Sequence, residues 1–297
     1  VTYGRGVRRA TALAVLTLVL TAAGCGGGDA QPVPEPASSA ASPSPSGDAT
    51  ALFEAAVEPL LDHQVIDFTY DVYSGDALAI ETRGRAYRQA GWKARTTSPK
   101  ELGSSEAPTG DQIKGSMQVR AVGDDLYMQL STWEPPLAGC WLRTGGGQVP
   151  GGQLAMTPGA PGYVTLLGAL QPAAVVAQDG DRLVIGADVP LRVGLQLTTT
   201  GVLGLLQLGA DQLDGTTVPV GVEVTAGVVT GVELLGSDLV DAVHSAGGDL
   251  TADAEATVGQ LRIAVAYDAG PDDAPRVEAP SDDEVMTNDD VRTGRGC

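Results

Sequence analysis

The sequence predicts an α+β domain, a strongly curved antiparallel sheet covered by helices, and three observations carry that expectation. Apolar side chains alternate with polar ones at a period of two in several separate runs, the pattern of strands with one buried face. Gly-Asp-Asp and Ala-Gly turns between neighbouring runs make them hairpins. A few other stretches space their apolar residues at three and four, as helices do, and these supply the cover that a one-faced sheet needs.

In chain order, the first segment is a targeting signal in its composition. Arg5, Arg8 and Arg9 precede an apolar stretch over 10–23 that is too short to span a bilayer. Ala22-Ala23-Gly24-Cys25 resembles a lipobox, with Ala22 where leucine is usual. Residues 1–24 are therefore expected to be a lipoprotein signal peptide and Cys25 the lipidated residue. The lipid would anchor the protein to the extracytoplasmic face of the plasma membrane. The alternative is an ordinary secretory signal with an incidental cysteine. Residues 25–50 are rich in Gly, Ser and Pro and almost free of side chains able to form a core, so they read as an extended tether.

Residues 51–280 are expected to form one domain. Phe53, Val57, Leu60 and Leu61 lie at helical spacing. Ile66, Phe68, Tyr70 and Val72 then alternate with Asp67, Thr69 and Asp71, as a half-buried strand does. A hairpin follows, with Met117, Val119 and Ala121 in one arm, Leu126, Met128 and Leu130 in the other, and the turn at 123–125. A second pairs Val218, Val220, Val222 and Val224 with Val232 and Leu234 about the Ala226-Gly227 turn. Leu261, Ile263, Val265 and Tyr267 mark a last strand. Residues 161–172 read as a helix bounded by Pro161 and Pro172. The stretch 189–209 reads either as a glycine-interrupted helix or as a strand pair. Residues 281–297 are expected to be an acidic, disordered tail.

The chain carries 18 basic against 37 acidic residues, a formal charge of −19, which disfavours nucleic acid and polybasic-type membrane binding. Catalytic chemistry finds no support. His63 and His244 are the only histidines, without metal-ligand spacing and without a nucleophile motif. The Gly-rich run at 143–153 lacks the Gly-Lys-Ser/Thr ending of a phosphate loop. Neither a metal nor a cofactor is expected, and the reading is a non-enzymatic protein. With Cys25 lipidated, Cys140 and Cys297 either pair as a disulfide in an oxidising compartment or leave a free cysteine on the tail.

The lipobox at Cys25, the Ser/Pro tether, the GDDLYMQL strand, the VPVGVEVTAGVVTGVELLG hairpin and the late LRIAVAYDAGPDDAPRVEAP segment together resemble the mycobacterial and actinobacterial LppX and LprG lipoproteins, whose fold is similar to LolA and LolB. That resemblance implies a half-barrel closed by helices around an apolar cavity, and a carrier of acylated lipids or glycolipids, with an envelope transport protein as a further candidate partner. It places the candidate cavity lining at Met117, Val119, Leu126, Met128, Val220, Val222, Leu261 and Ile263. The rival expectation is an envelope interaction or structural lipoprotein in which the same residues form a filled core.

Overall fold

In a computed structural model, the described residues are 48–87, 91–97, 116–123, 125–131, 133–145, 162–198, 213 and 215–297. The expected signal segment, Cys25 and the expected tether up to residue 47 lie outside them, whereas Asp48, Ala49 and Thr50, expected to end the tether, begin the first helix.

Helix α1 (Ala49–Asp62) begins where the Asp48 side chain accepts from the Thr50 and Ala51 amides, occupying two of the donors that a helix start leaves open. It is followed by β1 (Val65–Ser74), β2 (Ala77–Tyr87) and β3 (Gly91–Thr97), then β4 (Ser116–Val122), β5 (Asp125–Leu130) and β6 (Trp141–Gly145). Next come α2 (Gly162–Ala169), β7 (Gln171–Asp179), β8 (Arg182–Pro190) and α3 (Leu191–Gln196). The chain continues through β9 (Thr217–Thr225), β10 (Val228–Leu235), α4 (Gly236–Ser245), α5 (Ala252–Gly259) and β11 (Leu261–Ala269). It closes with β12 (Val285–Met286) and α6 (Asn288–Thr293).

The twelve strands among the described residues join one open sheet, in the order β12-β6-β5-β4-β3-β2-β1-β11-β10-β9-β8-β7. Every pairing is antiparallel except β12 with β6. Twelve strands at the usual inter-strand twist cannot lie flat. The period-two alternation gives this sheet two unlike faces. On the apolar face Tyr70, Val265, Val232, Val222 and Ile185 follow one another across five strands, all buried. Helix α1 lies against β10 and β7, α3 against β8 and β9, and α4 against β9, β10 and β11, so the helices and this face share one core. The Ala226-Gly227 turn of the β9–β10 hairpin has positive φ at both residues, which matches the twist of the flanking strands.

Three segments depart from the expectations. Within 189–209, only Leu191–Gln196 is helical among the described residues; residues 182–190 form strand β8, and 199–212 lie outside them. The helix at 161–172 is described over Gly162–Ala169 and gives way at once to strand β7, whose first residue precedes Pro172. Pro172 is tolerated there because β7 is an edge strand.

The closing segment is not a disordered tail. Ser281 with Glu284, and Thr287 with Asp290, form two capping boxes, β12 pairs with Trp141 and Leu142 of β6, and Cys297 is disulfide-bonded to Cys140. Its acidic residues serve as caps: the Thr287 amide and hydroxyl hold the Asp290 carboxyl below the usual carboxylate range.

Candidate functional site

The eight candidate lining residues all belong to the apolar face, in two groups that β1, β2 and β3 separate in the sheet. Met117, Val119, Leu126 and Met128 share the β4–β5 hairpin, with Val119 opposite Met128. Val220 and Val222 lie on β9, and Leu261 and Ile263 on β11, where Ile263 faces Leu234 of β10. Met117 and Leu261 are half-buried at the margin, and the other six are packed in the core with at most 8% of their surface exposed.

Over β8 and β9 the cover is leucine-rich. α2 and the residue after it contribute Leu166, Leu167 and Leu170, and α3 and the turn after it contribute Leu191, Leu195 and Leu197, all buried. The Tyr70 hydroxyl crosses from β1 to donate to the Leu197 carbonyl at 2.6 Å. Burial pushes the phenol pKa well above its ordinary value.

The opposite face of the same sheet carries an open groove of about 920 Å³. It is lined mainly by residues of β1–β4 and β11, with Thr230 of β10 and Trp141 of β6. Two cross-strand rows build it. The first runs Asp268, Asp67, Arg85, Lys93, Arg120 across β11, β1, β2, β3 and β4. The second, two residues along, runs Thr69, Arg83, Arg95, Gln118 across β1 to β4. Arg85 makes a bidentate pair with Asp67 through Nε and Nη2, the latter at 2.7 Å, which raises the pKa of its guanidinium. The Arg120 guanidinium lies 4.4 Å from the centroid of the buried Trp141 ring and donates to the Glu278 carbonyl at 3.3 Å. Beside it the stretch between β11 and the closing segment packs Val277 on Val65 and Tyr87.

The sequence reading missed this groove because its cations come from three strands. The signal was there in Arg83-Gly84-Arg85 and Lys93-Ala94-Arg95, two pairs of cations at strand period, which place four positive charges on one face once β2 and β3 pair.

His63 ends α1 as its C-cap, and His244 Nε2 lies 2.9 Å from Glu255 Oε1 between α4 and α5. Among the described residues neither histidine has a hydroxyl or thiol partner, and no cluster of three or more metal-ligating side chains occurs. No described helix is long and apolar enough to cross a membrane.

No family profile and no curated protein sequence matches the chain. Among solved structures the chain is similar to LprF from Mycobacterium bovis, at 11% identity and a TM-score of 0.38, over 80% of this chain and 98% of that one. It is also similar to the LolA superfamily protein NE2245 from Nitrosomonas europaea, at 12% identity and a TM-score of 0.28, over 74% and 91% of the two chains. The α+β fold rests on the strand order and register described above.

Proposed function

We propose that the domain binds acylated lipid or glycolipid between the apolar face of its sheet and the helices that cover it, as a lipoprotein anchored through Cys25 on the extracytoplasmic face of the plasma membrane. The observation that carries this reading is the make-up of the cover over β8 and β9. Helices of eight and six residues are too short to stand alone in water and depend on packing. What they pack with is leucine against valine and isoleucine. Such contacts are non-directional, so an acyl chain can replace them one for one, each buried methylene contributing roughly 0.8 kcal/mol before ordering costs. A site of this kind opens as cargo enters and needs no permanent void. Membrane anchorage would hold it beside the lipid supply.

Native mass spectrometry of protein extracted from its own membrane tests the reading. The expected result is an acylated species bound to the wild type and lost when Val222, fully buried in β9, is changed to Trp in a variant that keeps its circular dichroism. A wild type free of lipid favours the second reading, an envelope interaction lipoprotein with a filled core, to which the close packing of Val119, Val222 and Ile263 lends support.

A further inference from the structure

On a chain with a formal charge of −19, the groove on the polar face is lined by five cations, Arg83, Arg85, Lys93, Arg95 and Arg120, against two carboxylates, Asp67 and Asp268. The register sets like charges directly opposite one another: Arg83 faces Arg95, and Lys93 stands between Arg85 and Arg120. Directly opposed like charges destabilise a sheet. Two of the five are neutralised, Arg85 by Asp67 and Arg83 by Glu81. Among the described residues, Lys93, Arg95 and Arg120 have no carboxylate partner. Among the described residues Arg95 reaches the Ser116 hydroxyl, at 3.4 Å, and Arg120 is held by the Glu278 carbonyl and the Trp141 ring.

We propose that this groove binds a phosphodiester-linked polyol, a chain of hydroxyl-bearing units joined by phosphates. Charge complementarity calls for an anion, and arginine's planar fork fits the paired oxygens of a phosphate. Strands lie about 4.8 Å apart, so the cations of β2, β3 and β4 extend over roughly 10 Å, enough for more than one phosphate. Thr69, Gln118 and Thr230 line the same groove with neutral donors and acceptors suited to the hydroxyls between phosphates. The volume, about 920 Å³, lies in the range of small-ligand sites. Nucleic acid is a poor fit, because a duplex extending past the groove would meet an acidic exterior. The same chemistry has two sources, a soluble polymer and the head group of an anionic lipid.

The experiment uses the purified chain with an oligomer of poly(glycerol phosphate), and separately with phosphatidylglycerol vesicles against phosphatidylcholine vesicles. A Lys93→Gln, Arg95→Gln double variant removes two cations that hold no ion pair among the described residues, and Arg182→Gln, on β8 away from the groove, is the control. The expected result is oligomer or vesicle binding that weakens at least tenfold in the double variant and is unchanged in the control. The salt dependence of binding should become shallower by about one to two counterions. The thermal midpoint of the double variant should not fall, since it relieves opposed like charges. Binding of the soluble oligomer identifies a free polymer as the source, and binding confined to phosphatidylglycerol vesicles identifies a head group. Binding of neither, or binding that survives the double substitution, overturns the proposal. A single Arg95→Glu variant gives the same reading should the double variant fail to fold.

Discussion

Tyr70 is the largest of the fully buried side chains, and its hydroxyl joins strand β1 to the turn after α3. Tyr70→Phe keeps the ring in place and leaves the Leu197 carbonyl without this donor. Losing a hydrogen bond from a buried acceptor costs about 1–3 kcal/mol, and urea unfolding should read a loss of that size. Amide exchange should speed up over Leu191–Leu197 before it does in β9, because the bond holds the cover and not the sheet. A variant with unchanged stability and unchanged exchange would show that the bond contributes nothing. Gly84 illustrates fit of another kind. A Cβ there would lie 2.1 Å from Phe68 Cζ, so the ring occupies the space a side chain would take on the neighbouring strand. Asp71, on the polar face, shows the reverse: one carboxylate oxygen is buried without a partner, and burial followed by the nearby Glu81 raises its pKa.

At the scale of elements, the closing segment depends on its covalent tie. Strand β12 has two residues and α6 has six, too few to persist without support. The Cys140–Cys297 bond links positions 157 residues apart, for which chain entropy gives about 5 kcal/mol as an upper bound. Cys297→Ser should lower stability by about 2–5 kcal/mol in urea unfolding and abolish amide protection over Val285–Val291. Protection that persists in the variant would mean that the capping boxes and the β6 pairing suffice. The acidity of this segment points in sequence to a disordered tail, although Ser281-x-x-Glu284 and Thr287-x-x-Asp290 carry a helix-start pattern. Strands β1, β4, β5, β9, β10 and β11 were legible because each sets large apolar residues against polar or small ones. β2 was not, since its inward positions include Thr82, Gly84 and Ala86, small residues with little hydrophobic contrast. β7 was not either, because most of its residues are exposed on an edge strand and no alternation remains to be seen.

At the scale of the whole domain, one sheet presents two chemistries, an aliphatic face under helices and a cationic groove on the other side. The first was readable along the chain. The second appears only when β2, β3 and β4 are set side by side, which pairing decides and sequence order hides. The positions substituted to test the two sites are also far apart. Val222 on β9 and Lys93 on β3 are separated in the sheet by β10, β11, β1 and β2, about 24 Å at the usual strand spacing. Substitutions more than about 10 Å apart that share no partner act additively, and these positions lie on separate strands of one continuously paired sheet. The Val222→Trp change should therefore abolish acyl-lipid retention while leaving phosphodiester binding within about twofold. The Lys93→Gln, Arg95→Gln pair should do the opposite, and the triple variant should show both losses with no extra term. Calorimetric titration of each ligand against all four proteins measures the cycle. A coupling larger than about fivefold would mean that a single ligand engages both faces at once, its chains under the helices and its phosphates reaching round an edge of the sheet, and the picture of two independent sites would have to be given up.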